Sequence, residues 1–411
     1  MDRSRTQLGT ERRSSKNQRR SGAALLPIMA AVFIAFIVIG LAIPVLPLHV
    51  HEGLGFGTFL VGLVAGSQFG AAILSRVWAG RDADARGAKH VVIAGLRIAA
   101  AAGLLYFLSL SFANRPAMSV VILLLGRGLL GVGESFIITG AQSWGLALLG
   151  AQNTSKVLAW VGSAMFAAFA LGAPAGSALY ASYGFIAIAL ATTLLPLTTL
   201  LFVAPLERVP ATAQLHAGLL KVMAAVWVPG VASALSSIGF GAIIAFSALL
   251  FVARGWPAWP AFTVFAAAFI LTRIFLGHVA DRFGGVQVAL ICALIETVGL
   301  GLIWLAPWSA LALVGATLTG IGYSLVYPGF GVEAVRCAPA QSRGLAMGAY
   351  TAFLDVALGV GTPALGLLAD LAGLGAAFIG SMVAALCAAG IAAVLLHPPR
   401  PQRARGALAC S

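Results

Sequence analysis

Seven ionisable residues of this 411-residue chain lie inside long apolar stretches, where a charge is costly unless it is paired or hydrated. They are Arg76, Arg97, Arg127, Arg273, Glu134, Glu296 and Asp355. Burial disfavours the charged form of a carboxylate, and a nearby arginine favours it, so such a carboxylate takes up or releases a proton when its surroundings change. These residue types therefore point to proton carriage or to ion pairs within a membrane.

The apolar stretches themselves define the broad class of protein. The chain is 60% hydrophobic and 9% charged, whereas soluble domains average about a quarter charged residues. Runs of roughly 20 apolar residues have the length of a membrane-spanning helix. Twelve spans are predicted, at residues 23–48, 58–80, 90–111, 118–140, 156–180, 184–204, 227–252, 258–279, 287–306, 309–328, 344–369 and 375–397.

A duplicated loop motif indicates how the spans are organised. An Arg is followed by Gly, Asp and Gly at intervals of four, four and three residues, first from Arg76 and again 197 residues later from Arg273. Two further motifs, Gly131-Val-Gly133 and Gly172-Ala-Pro174, recur 189 residues later. Such repetition indicates two halves of six spans in the same order. We predict an all-α membrane protein with 12 transmembrane helices in two pseudo-symmetric six-helix bundles.

The positive charges orient these bundles. Nineteen of the 25 Lys and Arg residues lie in tails and loops on one side, whereas Arg115 and Arg254 lie on the other. Short loops rich in Lys and Arg stay in the cytoplasm. The formal charge of +13 therefore reflects orientation with both termini cytoplasmic, and we expect no nucleic-acid partner. The predicted parts are a basic tail at 1–22, bundles at 23–204 and 227–397, a linker at 205–226 and a second tail at 398–411.

Neither the cysteines nor the histidines form a recognisable metal or redox motif. Cys292, Cys337, Cys387 and Cys410 lack the spacing of metal or redox cysteines. His49-Val-His51-Glu52 hints at a metal site, but no third ligand stands nearby, and a solvated loop is favoured. We expect no metal and no cofactor, with a proton gradient as the driving force.

The duplicated loop resembles the signature of the major facilitator superfamily, and the resemblance covers the chain apart from its tails. That signature reads Gly, three residues, Asp-Arg-x-Gly-Arg-Lys, and here alanine stands at two positions where the family often has arginine. The second copy keeps Asp281-Arg282 but lacks the trailing basic pair. At the cytoplasmic edge the aspartates are placed to meet a helix N-terminus or an arginine and to hold the inward-closed state. The glycines permit tight turns and close helix approach. The gating residues are expected to be Gly80, Asp84, Gly87, Lys89, Gly277, Asp281, Arg282 and Gly284.

Two motifs within spans add to the resemblance. The stretch from Arg127 to Gly133 resembles the span-four motif associated with proton-coupled members of the superfamily. Gly172, Pro174 and Gly176 resemble the span-five motif associated with antiporters. The chain is similar to the YhhS-like group of bacterial carriers, which implies a location in the cell inner membrane. We also expect a monomer surrounded by the lipid bilayer.

Glu134 is the favoured acid for proton coupling. It lies seven residues after Arg127, two helical turns on and hence on the same face, and the resemblance places this span at the central cavity. A conformational change that alters the distance between them would make protonation depend on which side is open. The alternative is a static pair that holds span four to a neighbour.

Asp355 is the third candidate for proton coupling, and it has a structural alternative. By depth it is expected to pair with Arg76 across the two halves, and such a pairing would be structural rather than proton-carrying. Glu296 is expected to pair with Arg273 on the hairpin of spans eight and nine. Arg97 has no predicted partner. Polar and aromatic groups for a substrate cavity with apolar walls are offered by Gln142, Trp144, Ser236, Ser237, Tyr323 and Tyr327, although each is individually more often a packing residue.

These features predict a secondary active transporter of a small organic molecule such as a drug, sugar or metabolite, with proton-coupled efflux by alternating access. Uptake by a proton symporter or a facilitator is the alternative within transport. A polytopic membrane enzyme is the alternative of another class, but no cluster of catalytic groups is apparent, and we expect no enzyme. No Gly-x4-Gly-Lys-Ser/Thr loop is present, which argues against direct drive by ATP.

Overall fold

The computed structural model describes residues 26–149, 154–206, 219–337 and 343–396, and every regular element in these ranges is helical. A backbone in lipid has no water to bond with, so helices that satisfy their own polar groups are the expected spanning elements. The long helices are α1 (Leu26–Gly53), α2 (Thr58–Arg86), α3 (Ala88–Leu110), α4 (Pro116–Leu149), α5 (Thr154–Tyr183), α6 (Phe185–Val203), α7 (Leu219–Ala253), α8 (Pro260–Leu276), α9 (Gly285–Leu305), α10 (Ser309–Cys337), α11 (Arg343–Ala372) and α12 (Leu374–Leu396).

Eleven of these described helices are long and apolar enough to cross a membrane. The remaining one, α8, has 17 residues, which is about 25 Å at 1.5 Å per residue and the lower limit for a spanning helix. A short helix, Val279–Phe283, continues it toward α9. The predicted all-α architecture of two six-helix sets is confirmed.

The turns between helices repeat along with the helices. Within the described ranges, a positive φ occurs at six glycines and at no other residue type. Each glycine of the first half has a counterpart near the same point of the second: Gly55 and Gly255, Gly87 and Gly284, Gly184 and Gly373. Glycine adopts this conformation without the steric cost that a Cβ would bring. The duplication is therefore present in the backbone itself.

The duplicated loop motif is mostly helical, which corrects part of the prediction. Helix α2 continues to Arg86, and the turn is confined to Gly87, with φ 89°. Gly80 lies inside α2, and a Cβ there would meet nothing within 4 Å, so the expected turn or close approach at Gly80 is wrong. In the second copy Gly277 has an ordinary φ of −57°, and the turn is made by Gly284 with φ 92°.

Of the predicted linker, residues 219–226 belong to α7 and 207–218 lie outside the described residues. The tails at 1–22 and 398–411 also lie outside them.

The helices alternate in direction, so their ends fall on two sides. We call the side with the α2–α3 and α8–α9 turns the basic side, and the side with the α1–α2 and α11–α12 turns the far side. One hydrophobic cluster fills the first bundle and continues into the far-side half of the second. A separate cluster fills the basic-side half of the second bundle, around Phe330 and Tyr350. The bundles are therefore packed together on the far side and have distinct cores on the basic side.

Candidate functional site

An ion pair buried between the two bundles is the centre of the site. The Nη2 atom of Arg76 in α2 lies 2.5 Å from Oδ2 of Asp355 in α11. The Asp355 side chain is 6% exposed and that of Arg76 is 24% exposed, so little water screens the attraction. This is the contact across the halves that was expected from depth in the membrane. Beyond it, toward the far side, α2 and α11 pack backbone to backbone, since a Cβ at Gly66 would meet the carbonyl oxygen of Gly359 at 3.0 Å.

Glu134 lies on α4 near this ion pair and is held from α2. The Nε2 atom of Gln68 donates a hydrogen bond to Oε2 of Glu134. The lack of a side chain at Gly131 lets α4 approach α2 closely enough for this hydrogen bond, because any Cβ there would overlap the backbone carbonyl of Gln68. The Glu134 carboxylate is also within electrostatic range of Asp355, Arg76 and Arg127. Sequence reasoning missed Gln68, although an amide in the middle of an apolar span is a visible signal.

Arg127 is more deeply enclosed than expected. It is 2% exposed, and its Nε and Nη1 atoms have no hydrogen-bond partner among the described residues. It lines a narrow crevice, with room for no more than about one water molecule, whose walls are otherwise apolar: Ala42, Ile43, Leu46, Pro47, Val61, Ala65 and Ile244. Arg127 and Glu134 share a face of α4 as expected, but the hydrogen bond to Glu134 comes from Gln68.

The predicted pair of Arg273 and Glu296 is wrong: within the described chain no ion pair joins them. Glu296 of α9 is fully buried and accepts a hydrogen bond of 2.5 Å from the Ser236 hydroxyl of α7. The guanidinium carbon of Arg273 instead lies 5.5 Å from the centre of the Phe269 ring. The two residues stand at comparable depth, but their helix faces point in different directions.

Most of the predicted cavity residues are packed inside the bundles. Trp144, Ser236, Ser237 and Tyr323 are 3% exposed or less. The Ser237 hydroxyl donates to the Ser233 carbonyl at 2.8 Å and lies 3.3 Å from the Tyr323 hydroxyl. These hydroxyls are used in helix packing, which corrects their placement on an open cavity wall. Gln142 and Tyr327 are partly exposed, and the Tyr327 hydroxyl lies 2.6 Å from that of Thr351.

The loop residues on the basic side contact their own bundle in this conformation. The Lys89 Nζ donates to the carbonyl oxygens of Ala204 and Leu206 at 2.6 and 2.5 Å, at the end of α6. Asp84 is exposed, and the described residues offer it no ion pair. Asp82 is paired instead, with Arg86 at 3.2 Å.

In the second copy of the loop, Arg282 is exposed. The Asp281 side chain lies outside the described residues.

On the far side an acidic residue that sequence reasoning missed joins the bundles. Asp370, near the end of α11, accepts hydrogen bonds from the backbone N–H groups of Thr58 and Phe59 at 2.7 and 2.9 Å. The Thr58 hydroxyl donates to the same carboxylate at 2.7 Å. An acid at a helix N-terminus satisfies unbonded N–H groups and is favoured by the helix dipole. Asp370 therefore caps α2 from the other bundle.

The span-five motif brings two helix backbones together. A Cβ at Gly172 would lie 2.8 Å from Gly40 of α1, and one at Gly176 would overlap the Leu41 carbonyl. Pro174 stands between them inside α5. Small residues of this kind allow close helix packing in lipid.

The remaining candidates lie away from the bundle interface. Arg97 is exposed on α3. His49 stacks on Phe185, with ring centres 4.0 Å apart, and the Nδ1 atom of His51 lies 2.8 Å from the Phe56 carbonyl oxygen. Over the part of the chain that the structure describes, no three His, Cys, Asp or Glu residues are grouped as a metal site would require.

Twelve helices in two repeated bundles, with an ion pair buried between them, form the architecture of a secondary transporter. The chain belongs to the Major Facilitator Superfamily, whose family model matches residues 28–262 and 255–409. It is 40% identical to the uncharacterized MFS-type transporter STM4428 of Salmonella typhimurium, over 92% of this chain and 98% of that protein. It is 38% identical to the uncharacterized MFS-type transporter YhhS of Escherichia coli K12, over 92% of each chain.

Solved structures show the same fold at low sequence identity. The nucleoside transporter NupG matches with a TM-score of 0.72 at 15% identity, covering 90% of this chain and 98% of that one. A bacterial homologue of the human lysosomal transporter Spinster, in an inward-facing and unoccupied conformation, matches with a TM-score of 0.68 at 14% identity, covering 90% and 96%. The family match and the described spans together make the protein a multi-pass membrane transporter.

Proposed function

We propose that the protein exports a small organic molecule in exchange for protons by alternating access. The observation that carries this proposal is the Arg76–Asp355 ion pair, which bridges the bundles and lies within electrostatic range of Glu134. A bridge between two moving bodies, adjacent to a second acid, supplies a means of linking protonation to their relative position.

The basic side is assigned to the cytoplasm from its excess of Lys and Arg. Both termini then lie in the cytoplasm, and the bacterial relatives support a location in the inner membrane. In this proposal the continuous packing on the far side closes the path to the outside, and the substrate of an exporter enters from the cytoplasm.

The coupling step follows from two carboxylates that compete for one guanidinium. A charged Glu134 attracts Arg76 and weakens its bond to Asp355, whereas a protonated Glu134 leaves Arg76 to Asp355 and strengthens the bridge between the bundles. Proton binding at Glu134 from outside therefore favours the return to the cytoplasm-open state. Proton release into the cytoplasm loosens the bridge, and the substrate-loaded bundles open outward.

Exchange rather than symport is favoured by one feature of the sequence. Gly172, Pro174 and Gly176 resemble the span-five motif of antiporters, and in the structure this stretch packs α5 closely on α1.

Transport by purified protein in proteoliposomes tests the proposal. A substrate is first found by screening metabolites and drugs for an increase in the unfolding temperature, since a bound ligand stabilises the native state. An acidic interior is then imposed, and an antiporter is expected to accumulate the labelled substrate inside. Accumulation with an acidic exterior would show symport, and accumulation independent of the gradient would show facilitation. Either result would contradict the proposal.

A further inference from the structure

Arg273 is a charged residue that has no acidic partner among the residues that the structure describes. It lies on α8 three residues before the basic-side end and is partly exposed. Its neighbours are rings: Phe269 lies 5.5 Å away along the same helix, and Tyr323, Tyr327 and Tyr350 lie in its surroundings. No ion pair is formed by Arg273 in the ranges that the structure describes.

Comparison of the two halves of the internal repeat shows that Arg273 lacks the acidic partner that its counterpart has. Its counterpart 197 residues earlier is Arg76, which is paired with Asp355 of the opposite bundle. The position 189 residues before Asp355, by the offset of the α5 and α11 motifs, is Phe166. Phe166 stacks on Phe269, with ring centres 3.7 Å apart and an interplanar angle of 18°. The second interface thus has an aromatic contact in the place where the first has a carboxylate.

The nearby acids are already engaged elsewhere. Glu296 is fully buried and bonded to Ser236 within the second bundle, and Asp355 is bonded to Arg76. An isolated guanidinium at a partly dehydrated site is costly, and a bound anion offsets that cost. The Nε and Nη1 atoms of Arg127 also have no hydrogen-bond partner among the described residues, but Arg127 has Tyr106 beside it, is 2% exposed and lies toward the closed far side. Arg273 is thus the better placed of the two for a ligand that enters from the basic side.

The tyrosines around Arg273 offer aromatic ring faces to a ligand, because the hydroxyl groups of Tyr327 and Tyr350 already have partners within the protein. The Tyr327 hydroxyl lies 2.6 Å from that of Thr351, and the Tyr350 hydroxyl donates to the Tyr327 carbonyl at 2.7 Å. Tyr327 is partly exposed and its ring centre lies 4.9 Å from that of Tyr350. A guanidinium next to aromatic faces suits a ligand with an oxyanion at one end and a flat or apolar body.

We propose that Arg273 binds the carboxylate or phosphate of the transported solute, and that the substrate is a small organic anion whose apolar part lies against Tyr327. This inference rests on the proposed function only in requiring that a solute be transported. It does not depend on proton coupling or on the direction of flux.

The test is equilibrium binding to the purified full-length protein in detergent. The probes are monocarboxylates, dicarboxylates and phosphate monoesters, each compared with its uncharged amide or alcohol. We expect some acids to raise the unfolding temperature when their uncharged counterparts do not. For those acids, Arg273→Gln is expected to raise Kd about ten- to hundredfold, the range for loss of a charged hydrogen bond, and Arg273→Lys less. Arg97→Gln, the same change at an exposed arginine of α3, should leave Kd unchanged.

Three outcomes would overturn the inference: no acid binds, the uncharged counterparts bind equally well, or Arg273→Gln binds acids as the wild type does. An unliganded unfolding temperature close to the wild-type value confirms that the variant is folded. Acid binding without gradient-driven flux would overturn the proposed proton coupling and leave this inference intact. Gradient-driven flux seen only with an uncharged solute would overturn this inference and leave the proposed proton coupling intact.

Discussion

Arg76 and Asp355 form an ion pair of 2.5 Å that joins α2 of the first bundle to α11 of the second. On the far side of this pair, the two helices are in backbone contact as far as the cap that Asp370 places on Thr58. The pair therefore marks the point where continuous packing between the bundles gives way to separate cores. A contact at that position is sensitive to any relative movement of the bundles.

The first prediction is that Arg76→Ala and Asp355→Ala are not additive. Each single change leaves one buried charge without its partner and is expected to cost about 3–5 kcal/mol of unfolding free energy. The double variant removes both charges, so its cost should fall below the sum of the single costs by on the order of 1–3 kcal/mol. Denaturant unfolding in mixed micelles measures the cycle.

The matched control for this cycle is the pair of Arg86 and Asp82 on the surface of α2, where the arginine side chain is 66% exposed. Alanine at both positions should show a coupling of roughly 0–1 kcal/mol, as exposed pairs do. Additive effects at Arg76 and Asp355 would show that the pair contributes nothing to joining the bundles.

The second prediction concerns Glu134→Gln, which fixes the residue in an uncharged form. Flux driven by a pH gradient in proteoliposomes should be lost, because the amide has no proton to release. Exchange of labelled for unlabelled substrate should persist at a lower rate, because the neutral side chain leaves the Arg76–Asp355 bridge in its stronger form and the bundles open outward less often. Glu52→Gln, the same substitution at an exposed acid at the end of α1, should retain both activities. Gradient-driven flux at the wild-type rate in the Glu134 variant would exclude this acid from coupling.

The third prediction is that Asp370→Asn opens the far side. The carboxylate accepts three hydrogen bonds from the start of α2, and weakening such a cap costs about 0.5–2 kcal/mol. Val61 lines the crevice next to Arg127 and is 2% exposed. In a cysteine-free background, a Val61→Cys reporter should react severalfold faster with an impermeant maleimide added from outside.

Asp84→Asn is the control for the Asp370 change, since this exposed aspartate on the basic side makes no ion pair that the structure describes. It should leave labelling of the Val61→Cys reporter from outside unchanged. Equal labelling in the Asp370 and Asp84 variants would show that the cap does not hold the far side closed.

The fourth prediction is that Gly131→Ala destabilises the protein, because the new Cβ would overlap the backbone carbonyl of Gln68. Forcing α4 away from α2 is expected to cost about 1–3 kcal/mol and to break the hydrogen bond from Gln68 to Glu134. Gly162→Ala in α5 has nothing within 4 Å of the new Cβ and should be neutral or slightly stabilising, by up to about 1 kcal/mol. Thermal unfolding compares them, and similar values for both variants would contradict the close approach at Gly131.

The fold was predictable because its signals are local or periodic along the chain. Apolar runs define helices in lipid without reference to their neighbours, and the repeats from Arg76 and Arg273 set the two-bundle order. The turn glycines Gly87 and Gly284 followed from the same repeats. The helical conformation at Gly80 did not follow from them, because a glycine within a signature motif is equally compatible with a helix and with a turn. Helix α2 continues past Gly80 to Arg86.

The pairing of charges was decided by tertiary structure. Depth in the membrane is nearly fixed by position in a span, and it correctly brought Arg76 to the level of Asp355. The direction in which a side chain points from the helix axis is not fixed in this way, since each successive residue is rotated by about 100° around that axis. Arg273 and Glu296 share a depth but face different neighbours, a ring and a serine. Which faces meet depends on how closely backbones approach at glycines such as Gly131, and that is a property of the assembled bundles.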